Sequence, residues 1–175
     1  MTTGRYIAFE GLEGCGKSTH VTRLADALGG VATPFSPYGA KVDSPPASIE
    51  LIRHRQAGVQ DEGSQLVAHI FSLAAHGSER ILDLCAGPGG KAALLSSIAR
   101  ESGRLFIANE VSEARAALVK KVVKGAQVWV GDGRKVAEHG ESFDAVLVDA
   151  PCTGLGALRR RPEVRWRRTL QDLRE

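Results

Sequence analysis

The chain has 175 residues, 43% of them apolar and 25% charged, which suits one soluble globular domain and excludes a second of full size. Its formal charge of +3 is uneven: residues 156–175 carry seven arginines against Glu163, Asp172 and Glu175, a local balance of +4 that leaves −1 for the remainder and marks one polyanion-facing end. Three distant cysteines, Cys15, Cys85 and Cys152, with no CxxC pair, suggest neither a disulfide framework nor a zinc site and fit a reducing cytoplasmic setting, while no signal-peptide pattern and no run of membrane-spanning length is seen.

Tyr6 to Glu10 reads as a strand that stops at Gly11, and Val21, Leu24, Ala25 and Leu28 then recur at helical spacing until Gly29 and Gly30. Between them GLEGCGKS fits G-x-x-x-x-G-K-S/T in the strand-loop-helix setting that pattern requires. Gly11, Gly14 and Gly16 would let backbone N–H groups curl around the phosphates of ATP, with Lys17 as a point charge, Ser18 as a magnesium ligand and Thr19 beside it. Apart from that magnesium the sequence indicates no metal. Residues 31–53 hold four prolines without a sustained period and read as a linker or irregular segment. Helical spacing resumes after Gly63 with Leu66, Val67, Ile70, Phe71 and Ala74. Apolar runs follow at Ile81 to Leu84, Leu105 to Ala108, Val128 to Val130 and Ala145 to Val148, with helical stretches after Gly90 and Ser112. Strands alternating with helices at this spacing predict a parallel sheet with crossover helices.

A second glycine loop, ILDLCAGPGGKAALL, follows an apolar strand that ends in Asp83; Gly87, Gly89 and Gly90 let the backbone approach a ligand. The next two apolar strands also end in acids. Glu110 stands where such folds bind the hydroxyls of a ribose, and Asp132 where they meet an adenine. At each single position, capping of the following helix is an equally good reading.

From about Phe35 onward, FSPYGA, AGVQDEGSQLVA, DLCAGPGGKAALL, ANEVSEARAALV, VGDGR and FDAVLVDAPCTGLGALRRRPEVRW resemble the Sun-type (RsmB-like) ribosomal RNA cytosine-5 methyltransferases over residues 35–175. The resemblance implies that Cys85, Ala86, Gly87, Pro88, Gly89, Gly90, Lys91 and Arg115 belong to the S-adenosylmethionine-binding set, that Glu110 binds its ribose and Asp132 lies at its adenine, and that Asp149 sits beside methyl donor and target base. Ala92 replaces the threonine often found after that lysine. In such enzymes a thiolate adds to carbon 6 of cytosine so that carbon 5 can take the methyl group. The resemblance assigns product release to the cysteine of Pro151-Cys152 and attack to a cysteine in a later Thr-Cys-Ser motif, which this sequence does not contain. The chain alone is therefore expected to bind cofactor without methylating RNA.

GRYIAFEGLEGCGKSTHVTRLADAL resembles the N-terminus of thymidylate kinases over about the first 30 residues, although the Asp-Arg motif of that family is missing. The expected architecture is α/β: a P-loop unit over 1–30, a linker over 31–53, and a Rossmann-like methyltransferase core with an incomplete parallel sheet over 54–175. The strand ending at Asp149 would be left as an open apolar edge, and Tyr6 to Glu10 is expected to add beside it as a surrogate strand.

Arg159, Arg160, Arg161, Arg165, Arg167 and Arg168 can neutralise phosphates and Trp166 offers a face to a base, which makes this stretch a candidate contact for ribosomal RNA. The alternative for this stretch is a solvated helix end with Trp166 packed inward. For the whole chain two other functions remain open, a P-loop kinase and a non-catalytic RNA- or cofactor-binding fragment. No membrane contact or protein partner is indicated.

Overall fold

The computed structural model describes residues 5–9, 17–152, 162–167 and 169. Its first part is built from four short strands, β1 (Arg5–Phe9), β2 (Val31–Ala32), β3 (Gly39–Val42) and β4 (Ala57–Val59), with helices α1 (Lys17–Ala27) and α2 (Glu50–Arg53). The strands pair in the order β2-β3-β1-β4, antiparallel throughout. Helix α1 packs on β2 and β3, and Val21 and Ala25 are buried with Ala40, Val42, Ile49 and Ala57. It ends in a Schellman turn: Gly29 takes φ of 66°, its N–H donates to Asp26 O, and the N–H of Gly30 donates to Ala25 O at 2.8 Å.

The structure corrects two expectations. Residues 31–42 supply two strands in place of an irregular segment, and their shortness is what the sequence hid: β2 has two residues, both exposed, and β3 has four, too few for a period. Nor does β1 join the parallel sheet. Ile7 and Ala8 pair with β3 on one side and β4 on the other, so β1 is a central antiparallel strand and not a surrogate beside Asp149. The loop between β2 and β3 is anchored by side chains. Thr33 Oγ1 donates to Ser36 O and Gly39 O, Ser36 Oγ donates to Gln65 Oε1 at 2.7 Å, and Glu62 Oε1 accepts from the N–H groups of Phe35 and Ser36.

The second part alternates α3 (Glu62–Ala74), β5 (Arg80–Asp83), α4 (Gly90–Glu101), β6 (Leu105–Glu110), α5 (Glu113–Val122), β7 (Gln127–Val130) and β8 (Ala145–Leu147); a short α6 (Val164–Arg167) lies in the C-terminal stretch. The sheet runs β7-β6-β5-β8 and is parallel throughout, as the alternation of apolar runs and helices predicted. Helix α4 packs on β6, α3 and α5, so every residue from Ala92 to Ala99 is buried. Helix α3 is less covered: Ala68 and Gln65 face inward, whereas Val67, Ile70, Leu73 and Ala74 are exposed, so three residues of its predicted apolar pattern, Val67, Ile70 and Ala74, point outward. Among the described residues β8 pairs with β5 alone, and exposed Val146 and Val148 mark the open edge expected there. No helix among the described residues is long and apolar enough to cross a membrane.

Candidate functional site

In a parallel sheet the loops that leave the carboxyl ends of neighbouring strands converge, and in this chain the ladder continues into them. The N–H of Leu84 donates to Leu147 O, that of Ala86 to Asn109 O and that of Gly131 to Glu110 O. Asn109 braces this rim. Its buried Nδ2 donates to Leu84 O and Gly131 O, both at 3.1 Å, and so ties the ends of β5 and β7 to β6. Asn109→Ala leaves both carbonyls without that donor and is expected to lower the unfolding free energy by about 1–3 kcal/mol. Urea titration checks this; an unchanged midpoint would contradict the bracing role.

A cavity of about 230 Å³ opens at this rim, lined by Cys85, Ala86, Gly87, Pro88, Gly90, Lys91 and Asp149, and by Asp83, Val59, Gln60, Asp61 and Ser64. The first seven were expected from the sequence as site residues. Gly89 adopts φ of 117° and caps α4, so the helix opens towards the cavity with Gly90 and Lys91 in its first turn. Lys91 Nζ lies 2.5 Å from Asp149 Oδ2, which joins the first turn of α4 to the segment just past β8. Gln60 Nε2 donates to Ser64 Oγ at 3.1 Å.

Asp83 is 1% exposed, and its Oδ1 is buried with no hydrogen-bond partner. Burial pushes its pKa up to about 7; the Cys85 N–H and Lys91 oppose that rise, whereas Asp149 and Glu110 add to it. Burial likewise raises the Cys85 thiol, helped by Asp83, Glu110 and Asp149, so Cys85 holds its proton and is poorly suited to attack.

Glu110 stands behind the loop. Its buried carboxylate accepts from the N–H of Gly87 at 3.0 Å and of Ser112 at 2.9 Å, and pairs with Arg115 Nη2 at 2.7 Å. Asp132 does not line the cavity. It accepts from the N–H of Arg134, pairs with that side chain at 2.6 Å, and is held at a pKa of about 2 chiefly by this contact. At this position the geometry is that of a cap on the following turn, Gly133–His139.

Cys152 is exposed and outside any disulfide. Arg165 and Trp166 are exposed, Trp166 at 83%, so the indole is not packed inward; Arg159, Arg160, Arg161 and Arg168 lie outside the described residues. So do Gly11, Gly14, Cys15 and Gly16, and Lys17, Ser18 and Thr19 are described only as the first turn of α1. The strand that precedes that loop has antiparallel neighbours, not the parallel neighbour that a βαβ nucleotide site supplies.

Four polar residues of the cavity had no role assigned from the sequence. Asp83 was visible only as an acid at a strand end. Gln60, Asp61 and Ser64 sit in the turn from β4 into α3, where VQDEGS carries no period and Asp61 stands at the N-cap position of α3.

The family model described as 16S rRNA methyltransferase RsmB/F matches residues 70–175. A putative methyltransferase of Mycobacterium tuberculosis is 47% identical over 155 residues, 86% of this chain and 34% of its own length. Ribosomal RNA small subunit methyltransferase B of Salmonella paratyphi B is 36% identical over 173 residues, 90% of this chain and 39% of its own. The chain thus spans between a third and two fifths of these curated relatives. A methyltransferase homologue from Pyrococcus horikoshii shares the fold with a TM-score of 0.71 at 21% identity, covering 98% of this chain and 55% of the other. NSun6 from the same organism, solved with SFG, gives a TM-score of 0.61 at 24% identity over 82% of this chain and 41% of the other. By the match over residues 70–175, the chain belongs to the 16S rRNA methyltransferase RsmB/F family.

Proposed function

We propose that this chain carries the cofactor-binding part of an S-adenosylmethionine-dependent ribosomal RNA (cytosine-5) methyltransferase site. The observation that carries this reading is the cavity at the carboxyl edge of the parallel sheet, where a glycine loop, a helix N-terminus, Lys91 and three carboxylates converge. The donor set fits the cofactor. The orphaned Oδ1 of Asp83 is an acceptor awaiting a cationic donor such as an α-ammonium, and the first turn of α4 suits a carboxylate. Glu110, held from three sides behind the Gly87 loop and next to the cavity wall, is the carboxylate assigned to the ribose. When bound, the cofactor supplies an electrophilic methyl group.

The rest falls to this chain's own groups. Lys91 orients Asp149 at the cavity rim, where that carboxylate, half exposed, can meet the incoming base. Cys85 keeps its proton and serves as a wall. To Cys152, three residues past Asp149 and exposed, we assign product release, with ribosomal RNA as the substrate partner. No cysteine of this sequence stands in a Thr-Cys setting. The polypeptide of this sequence is therefore expected to bind S-adenosylhomocysteine and to form no 5-methylcytosine in ribosomal RNA. Calorimetry with S-adenosylhomocysteine and, separately, with ATP and magnesium tests the reading: heat from ATP and none from S-adenosylhomocysteine would reverse it in favour of the P-loop kinase.

A further inference from the structure

A second depression, of about 400 Å³, lies between the antiparallel part of the fold and α5 and includes Ile52, Arg55, Pro88, Leu118, Lys121 and Val122 in its wall. Pro88 lines this groove and the cofactor cavity alike, and along β4 the lining passes from Ala57 and Gly58 in the groove to Val59 in the cavity. The two are therefore neighbours across a single wall. The charged groups of the groove among the described residues are both cations. Among the described residues neither Arg55 nor Lys121 enters a salt bridge, and Arg53, Lys120 and Lys124 are exposed close by in sequence.

Arg55 is held in this place against backbone preference. Helix α2 ends in the same turn as α1: the N–H of Arg55 donates to Ile52 O and that of Gln56 to Leu51 O, mirroring Gly29 and Gly30. The left-handed position that Gly29 fills after α1, at φ of 66°, is occupied after α2 by Arg55 at φ of 55°, the sole non-glycine residue with positive φ among those described. Strain of this kind, retained where glycine would sit freely, marks a side chain with work to do.

We infer that the groove between Arg55 and Lys121 is a phosphate-binding surface for the RNA strand that delivers the target base to the adjoining cavity, with Ile52, Leu118 and Val122 as an apolar floor for a neighbouring nucleoside. The inference rests on the rRNA-methyltransferase reading and adds to it a contact surface separate from the C-terminal arginines. Two cations outside any salt bridge, beside a low-polarity wall, suit a polyanion, and a groove one wall away from the cofactor cavity suits the next stretch of a continuous strand.

The test uses the whole chain and a labelled transcript of small-subunit ribosomal RNA, with affinity followed against salt concentration. The variant R55G/K121Q removes both charges, and its glycine suits the left-handed backbone, so its melting temperature should not fall. RNA affinity is expected to drop about tenfold at moderate salt, and the slope of log K against log salt to become shallower by about 1.4–1.8, the value for two phosphate contacts. S-adenosylhomocysteine affinity should stay within about twofold, and R55K/K121R should keep the RNA affinity of the unaltered chain. Unchanged affinity and slope in R55G/K121Q overturn the surface while leaving the methyltransferase reading intact. Failure of the unaltered chain to bind the transcript in a salt-dependent way overturns both, and loss of RNA binding equally in R55K/K121R shows a packing role instead of a charge role.

Discussion

Asp83→Asn is expected to make the protein more stable at pH 8 and to remove most of the pH dependence of its stability between pH 4 and 7. The carboxyl of Asp83 keeps its proton up to about pH 7 in the folded state, whereas its ordinary value is 3.8. Between those two values the folded state holds one proton more than the unfolded chain, so unfolding releases a proton and stability declines as pH rises. Above about pH 7 both states are ionised and the decline stops. A difference of about three pH units corresponds to a loss on the order of 4 kcal/mol across the window. Asp132, depressed to about 2, acts with the opposite sign and at lower pH: its contribution is present above about pH 4 and lost as pH falls towards 2. The two groups therefore separate on the pH axis.

The same proton couples to the ligand. A cationic group seated against the unpartnered Oδ1 favours the carboxylate, so binding expels the proton, and affinity for S-adenosylhomocysteine is expected to rise by up to about tenfold per pH unit between about pH 5 and 7. In Asp83→Asn the rise should vanish and affinity at pH 8 should fall by about tenfold or more. Urea titrations at pH 5, 7 and 8, with calorimetry at the same values, measure both effects. Parallel pH profiles in the unaltered protein and the variant would show that Asp83 does not carry this proton.

What could be read from the sequence divides along physical lines. Strands β5 and β6 were legible because parallel strands covered on both faces appear as unbroken apolar runs, β7 because its short apolar run follows a helical stretch at crossover spacing, and a glycine loop marks where the first of them turns into a helix. The site residues on that loop followed. Of the small antiparallel sheet only β1 was legible as a strand, since the others have two to four residues, and the sheet is joined by pairings between segments far apart in sequence, such as Ile7 with Val59. Gln60, Asp61 and Ser64 were hidden for a related reason: they reach the cavity because β4 belongs to that sheet and α3 packs on α4. At Asp132 the two readings of a strand-end acid, ligand contact and helix cap, could not be separated from the sequence, and the structure shows the cap, with Arg134 two residues away in the same short turn.

Gly87→Ala is expected to weaken cofactor binding about a hundredfold while leaving most of the fold in place. A Cβ on Gly87 would run into the carboxylate of Glu110, whose Cδ lies 2.8 Å from it, and would stand 3.0 Å from the Cβ of Arg115. Neither neighbour is a loose chain end. Glu110 is buried, accepts from two backbone N–H groups and pairs with Arg115, so moving its carboxylate breaks the bond from Gly87 N and strains the ion pair. The loss is expected to be about 2–3 kcal/mol in cofactor binding, a fall of about a hundredfold, because the displaced carboxylate no longer presents its edge to a ribose. Gly89→Ala fails differently: at φ of 117° the backbone itself is unfavourable and the new methyl meets Val122 and the Val119 backbone, so α4 loses its start and stability falls along with binding. Gly63→Ala, whose methyl would enter open space on α3, is the control: binding should be unaltered and stability should not fall, helix propensity favouring alanine there. Calorimetry with S-adenosylhomocysteine and thermal melting of the three variants separate these outcomes. If Gly87→Ala bound like the unaltered chain, the buried Glu110 carboxylate would have to be a brace for the loop and α5 with no part in holding the cofactor.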